Sequence, residues 1–592
     1  MPRENPSPAA AAPASDGRGT PHRPLFLLLT VLAPVLALCL VEFALRVAAV
    51  GAREPLFIPV ADAAGYLQPN PDVVQRFFPN PAQAPRVAID TAYFREPKPP
   101  GALRLVVQGE SSAAGFPYGR WAGVGGLLQQ RLQRGLPDRD VEVISTAMAA
   151  VTSYVLLDFA DEIVAIHPDA IVIYTGHNEY LGIGGVGSSY ASASSPALAR
   201  LVLALRHLHL YRALERLLSR APAGDPRAGP EGGTLMARIA AERAIPYGSP
   251  LYERGRAQFA SNLARLLARY RAAGIPVFIG TLASNERDQP PFASGAGAPG
   301  DPPARTRFVE AQALEAQGRY AEARGAYLAA KDRDELRFRA PESFNEVIRA
   351  GAASAGATVV EVEAALAAHA AHGIIGADLM LEHLHPNLAG YFELATAFYG
   401  PVRTLARARA VDAATAWREL PVTEIERIGG EMRIALLRHD WPFVATREPV
   451  AFPAPATPEE AIAQEWFAGR IPWAEAMNRA FALYEQLADQ PNQLRVAVNL
   501  AEAFVYRSES QWVAGRLAVH GGEPERALPY LRRAVALDPT TADYPLVYAE
   551  AEFKTGRIVE AARTLEAMQQ RFPADARATY WLGVVKAQLA HR

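Results

Sequence analysis

Leu103-Arg104-Leu105-Val106-Val107-Gln108-Gly109-Glu110-Ser111-Ser112-Ala113-Ala114-Gly115 is the stretch that decides the fold of this chain. An apolar run from Leu103 to Val107 reads as a buried strand. Glycines on both sides of Ser111 let the backbone turn tightly, so a serine just past the strand can project its hydroxyl into a crevice. Four more such runs follow: Val141 to Ile144, Ala170 to Tyr174, Val277 to Gly280 and Thr358 to Val362. Amphipathic stretches lie between them, at Leu127 to Leu132, Ser153 to Ile166 and Phe259 to Tyr270. Continuous apolar strands separated by helices imply a parallel sheet covered on both faces. In such sheets chemistry collects at the carboxyl ends of the strands.

Two distant segments complete the pattern. The third run ends in Thr175-Gly176-His177-Asn178-Glu179, where an asparagine amide can donate to an oxyanion. Further on, Glu382-His383-Leu384-His385-Pro386-Asn387 precedes an apolar helix from Leu388 to Tyr399. The three-residue offset lets the Glu382 carboxylate reach the His385 ring and hold it in the useful tautomer, and Pro386 fixes the backbone beyond it. Taken singly, each has a plainer reading: Ser111 as a helix cap, Asn178 as a turn residue, the Glu382 loop as capping charges. Two histidines so close also fit a metal site, but no further His, Cys or Asp cluster supports one, so neither metal nor cofactor is expected.

Together these blocks resemble the SGNH, or GDSL-type, hydrolases. Gly109 to Gly115 is similar to the first block, Gly176-His177-Asn178 to the Gly-x-Asn block, and Glu382 to His385 to the Asp-x-x-His block. Glu110 and Glu382 stand where the family has Asp. Ala147, in Val143-Ile144-Ser145-Thr146-Ala147-Met148, stands where the second block has Gly. The resemblance implies a flavodoxin-like three-layer α/β domain. It implies Ser111 as nucleophile, His385 as base, Glu382 as the group orienting it, and an oxyanion hole of the Ser111 and Ala147 N–H groups with the Asn178 amide. Asp378 is the poorer candidate for the orienting role. Asn285 and Arg339 fit cleft, surface or packing roles, and His177 is left out. The implied activity is an ester hydrolase or an acyltransferase with the same machinery. The competing function is a binding or assembly protein with an inactive hydrolase fold.

More narrowly, the chain resembles membrane-anchored bacterial SGNH proteins fused to tetratricopeptide repeats. Gly522, Ala527 and Pro539 recur 34 residues on as Gly556, Ala561 and Pro573, the period of that repeat. Tyr580 to Leu589 would close the array. Gly318-Arg319-Tyr320-Ala321-Glu322-Ala323 is similar to Gly556-Arg557-Ile558-Val559-Glu560-Ala561, which places a related hairpin inside the hydrolase domain. Such arrays either offer a concave surface to a protein partner or buttress a neighbouring domain.

Length and composition set the frame. At 592 residues the chain is too long for one core. With 21% charged residues and a net charge of -2, it shows no footprint for nucleic acid or an anionic surface. Its one cysteine, Cys39, excludes an internal disulfide. Residues 1–23 are rich in Pro, Ala and Gly and read as disordered. Leu25 to Val41 carries no charge; with one more turn, past Glu42 to Arg46, it is long enough to span a bilayer. A cleaved signal peptide is the rival reading. The expected organisation is a transmembrane anchor over 24–50, a linker over 51–100 and the hydrolase domain over 101–405. That domain holds a helical insertion near 190–245 and the extra hairpin near 306–335. A helical linker over 406–480 and repeats over 481–592 follow. The expected location is a single-pass membrane protein with its catalytic domain outside the cytoplasm. Its partners would be an acyl-ester substrate and a protein bound by the repeats. Leu201, Leu205, Leu208 and Tyr211 recur at helical spacing within the insertion, which favours packing over a membrane face.

Overall fold

The computed structural model describes residues 23–78, 84–85, 87–189, 196–218, 236, 239–240, 244–296 and 301–590. The expected disorder over 1–23 lies almost wholly outside these residues, as does much of the insertion. Two compact units are present, residues 1–53 with 204–221 and residues 54–203 with 222–592. The smaller unit holds the helix Arg23–Val47, whose Thr30–Val47 portion is long and apolar enough to cross a membrane and is not buried in the protein, and the helix His209–Leu218.

In the larger unit, three short antiparallel strands come first: β1 (Phe57–Pro59), β2 (Tyr66–Pro69) and β3 (Phe94–Arg95). The segment expected as a linker over 51–100 is thus packed structure. Leu56, Val73, Val74 and Phe94 belong to the same buried cluster as the main sheet. The Arg76 guanidinium, itself buried, reaches Asp158 at 2.8 Å and Glu162 at 2.7 Å on a helix of the main domain.

The main sheet is built from β4 (Leu103–Gly109), β5 (Val141–Ser145), β6 (Ala170–Tyr174), β7 (Val277–Gly280) and β8 (Thr358–Val360). All neighbours are parallel, in the order β5-β4-β6-β7-β8, the flavodoxin-like order. These are the five apolar runs of the sequence. Every residue of β4 and β6 is buried, as expected for strands covered on both faces. The β4-to-β5 and β5-to-β6 crossovers run in opposite directions along the sheet, so right-handed connections put their helices on opposite faces. On one side Val124–Gly135 packs against Leu388–Ala406; on the other Ser153–Ala165 packs against Pro250–Ala272. The chain reverses direction between β4 and β6, and the crevice at the ends of those two strands is where such folds bind ligands.

Beyond the sheet, helices run from Ala413–Arg418 through Trp473–Gln486 to Gln490–Ala503. Ser508–His520 then pairs with Pro524–Leu537, Asp543–Lys554 with Ile558–Arg571, and Ala576–Ala590 follows. The repeated glycines have one job: Gly522 and Gly556 turn with φ of +79° and +78°, and Gly318 in the hairpin Ala304–Ala316/Tyr320–Asp332 turns with +73°. Ala527, Ala561 and Ala323 are fully buried where the paired helices meet. One face of the array docks on the sheet domain. Arg532 donates to Asp140 at 2.6 Å, Arg533 to Gln133 Oε1 at 2.6 Å, and Arg557 to Asp138 at 3.1 Å.

Candidate active site

Two connections lead out of the crevice, one from each strand beside the reversal. Gly109 ends β4 so close to Tyr174 of β6 that a side chain there would strike the Tyr174 carbonyl. Ser111 then opens a one-turn helix, Ser111–Ala114, its side chain half-buried. Its neighbour Ser112 is buried and donates to the Leu384 carbonyl at 3.4 Å, which ties this turn to the third segment.

That third segment is held from both ends. Asn387 caps the helix Leu388–Ala406 by accepting from the Gly390 N–H at 2.9 Å, and its own N–H donates to Leu379. The Leu381 N–H donates to the His385 carbonyl at 2.8 Å, closing the loop between them. Inside this loop the buried Glu382 carboxylate accepts from the Leu384 N–H at 3.3 Å and the His385 N–H at 3.1 Å. It also contacts Nδ1 of His385 directly. His385 Nε2 lies 2.8 Å from Ser111 Oγ. The carboxylate–imidazole–hydroxyl chain is therefore continuous, across 274 residues of sequence between Ser111 and His385. The Phe116 ring packs on the imidazole with centroids 4.6 Å apart, and the Tyr391 hydroxyl donates to the Phe116 carbonyl at 2.5 Å. Burial drives the His385 ring down from the ordinary 6.5 to about 3, which leaves it neutral and able to accept a proton at pH 7.

A second buried glutamate serves the connection after β6. Glu110 accepts from the Thr175 hydroxyl at 2.9 Å, the Gly176 N–H at 2.7 Å, and the Asn178 N–H and Nδ2, each at 3.1 Å. Gly176, at φ +146°, supplies a backbone turn that side chains disfavour. An amide nitrogen carries two N–H groups, so with one held by Glu110 the other is free to point elsewhere. Burial pushes the Glu110 carboxyl up to about 8, against these four donors, which pull it down. The sequence marked Glu110 only by its position; that it holds Asn178 is a tertiary fact.

Ser111, Asn178 and His385 line one cavity of about 110 Å³, with Phe116, Ala149, Ala150 and His383. Phe338, Leu384 and Leu437 add apolar wall. Ala147 does not line it. Its side chain is buried and its N–H donates to Ser145 Oγ at 3.3 Å. Ala150 does line it, in a left-handed turn at φ +60°, and its N–H has no partner among the described residues. No sequence signal distinguishes these two alanines, because the path of the turn after β5 decides which of them lines the cavity. His383 also lines the cavity. Its Nδ1 contacts the other oxygen of Glu382, and its ring packs edge-on to Phe292, Phe338 and Phe443. The His-x-His spacing around one glutamate was the available clue.

The remaining candidates lie elsewhere. Asp378 accepts from the Ala371 and Gly376 N–H groups and sits 3.5 Å from Arg287, not beside His385. Arg339 is buried, paired with Asp334 at 3.0 Å and donating to the Asn285 carbonyl. His177 is buried and its Nδ1 accepts from the Ala340 N–H at 3.2 Å, away from Ser111.

Residues 518–580 match the family model for the tetratricopeptide repeat. No curated protein matches the chain. Among solved structures, TesA matches with 17% identity and a TM-score of 0.26, covering 51% of this chain and 99% of that one. A putative GDSL-like lipase from Parabacteroides merdae matches with 11% identity and a TM-score of 0.27, covering 51% and 96%. Axe2, an acetylxylan esterase from Geobacillus stearothermophilus, matches with 13% identity and a TM-score of 0.27, covering 53% and 98%. The chain thus carries tetratricopeptide repeats near its C-terminus and, ahead of them, a parallel-sheet domain similar to solved GDSL-like lipase and esterase structures.

Proposed function

We propose that this chain is a membrane-anchored serine hydrolase acting on ester bonds. The observation that carries this reading is the 2.8 Å approach of Ser111 Oγ to His385 Nε2, with the Glu382 carboxylate on the other ring nitrogen. Ser111 Oγ attacks the ester carbonyl carbon while His385 takes its proton, and Glu382 stabilises the imidazolium that results. The oxyanion accepts from the free N–H of the Asn178 amide and from the Ser111 N–H, which as the first of a helix has no intrahelical partner. A third donor is the N–H of Ala150, which takes the role first expected of Ala147. The tetrahedral intermediate collapses, His385 protonates the leaving alkoxide, and an acyl-Ser111 remains. His385 then deprotonates water, giving hydrolysis, or an acceptor hydroxyl, giving transfer.

The small, mostly apolar cavity suits a short acyl group. The helix Arg23–Val47 is the anchor, with the N-terminus in the cytoplasm and the catalytic domain outside it. The arginine-rich face docked on the sheet domain favours a buttressing role for part of the repeat array, leaving its other surfaces to a protein partner. A fluorophosphonate probe tests the reading. The native protein is expected to be labelled and Ser111→Ala is not; equal labelling of both removes Ser111 as nucleophile.

A further inference from the structure

The helix His209–Leu218 has its faces reversed for a helix in water. At 3.6 residues per turn, Leu210, Leu214 and Leu217 fall on one side, flanked by Leu218 and Tyr211. That side faces outward: Leu214 is 49% exposed, Leu217 58% and Leu218 78%. The opposite side carries Arg212 and Arg216, and Arg212 is only 4% exposed. Just before the helix, Arg206 is 9% exposed and pairs with Glu215 at 2.8 Å. A water-facing helix buries leucine and exposes arginine; this one does the opposite.

Its partner explains the inversion. The first N–H groups of the helix, on His209 and Leu210, donate to the Glu42 carboxylate at 3.0 and 2.8 Å. Glu42 is the acidic residue that interrupts the apolar run of Arg23–Val47, and Arg46 pairs with it at 2.7 Å. His209 Nδ1 lies 3.0 Å from the Val50 carbonyl, and Arg216 donates to the Ala52 carbonyl at 3.3 Å. The polar side of the short helix thus grips the point where the long apolar helix ends. If that point is the membrane surface, the exposed leucines meet acyl chains.

We propose that His209–Leu218 lies in the membrane interface, its leucine face in the lipid of the leaflet where the anchor emerges. The partner is the bilayer itself, and the proposal rests on the anchor reading given above. An amphipathic helix of this kind binds by buried apolar area, with its polar side turned from the acyl chains.

The test uses the full-length protein in phosphatidylcholine–phosphatidylglycerol vesicles, in a Cys39→Ser background, with bimane on Leu214→Cys or Leu217→Cys. Tyr580→Cys, at a position 68% exposed on the last helix, is the water-facing control. Labels at 214 and 217 are expected to be several-fold less quenched by iodide than the control, and quenched by lipids spin-labelled near the headgroup. Iodide quenching equal to the control overturns the proposal. Protection from iodide without quenching by the lipids does so too, because protein would then cover the face. Bimane on the native Cys39, exposed on the long helix, separates the two readings. A lipid-buried Cys39 label with water-exposed 214 and 217 labels sinks this inference alone, while a water-exposed Cys39 label sinks the anchor as well.

Discussion

Glu382 and Glu110 are both buried, and each serves the loop beside Ser111, yet they do different work. In the proposed reaction Glu382 touches an imidazole that gains a charge as the ester is attacked. Glu110 touches only neutral donors, two backbone N–H groups, a hydroxyl and the Asn178 amide. The first contact strengthens in the transition state; the second is the same before and during the reaction. Only the first lowers the barrier by itself. Glu110 acts through Asn178 and is a positioning residue.

The sharpest way to break this contrast is Glu382→Gln. An amide there holds the ring in the wrong tautomer, and kcat is expected to fall by roughly 10⁴-fold with little change in KM. A loss of tenfold or less, measured on a p-nitrophenyl ester, would place the work of orienting His385 elsewhere. Asn178→Ala comes next. Removing one oxyanion donor costs roughly 10²–10³-fold in kcat. Glu110→Gln should lose no more than Asn178→Ala. In the double variant it should add nothing further, because the two act as one unit. Independent, additive losses would show that Glu110 has a role of its own. Above about pH 8, where the native carboxyl is ionised, Glu110→Gln leaves a buried donor facing other donors, so its unfolding free energy there should drop by about 1–3 kcal/mol, read from urea titration.

The pH dependence tests the imidazole that Glu382 touches. Only neutral His385 accepts the Ser111 proton, so protonation abolishes activity. Burial lowers the ring from 6.5 to about 3, so the active form persists as the pH falls. The acid limb of kcat/KM is expected below pH 6.5, with equal rates at pH 7 and in mildly acidic buffer. A limb at or above the ordinary histidine value would contradict a buried, neutral ring. The smallest effect expected is in acyl length: acetyl and butyryl esters should exceed decanoyl esters in kcat/KM, since the cavity is about 110 Å³.

Much of this was legible in the chain itself. Five apolar runs between amphipathic stretches specify a parallel sheet, and all five are strands. Ser111, Asn178 and His385 stand out as candidates because each follows a strand or precedes a helix whose boundaries the hydrophobic pattern marks. What stayed hidden depends on tertiary geometry. β1, β2 and β3 are two to four residues long, too short to show a period. That Ala150 lines the cavity and Ala147 does not depends on the path of the turn after β5, where Ala150 has a positive φ. The leucines of His209–Leu218 have the spacing of a core helix, and spacing alone does not say what covers a face. Glu110 is legible as an acidic residue beside Ser111, but its four donors come from residues 175 to 178, brought near by the pairing of β4 with β6.

The central claim is that Ser111, activated by His385, becomes acylated. Rapid mixing with p-nitrophenyl acetate followed by acid quench and peptide mass analysis tests it most directly. The account predicts a burst of p-nitrophenol and an acetyl group on the peptide containing Ser111, both absent in His385→Ala. Turnover with no acetyl on that peptide, or with the acetyl on another residue, would contradict it.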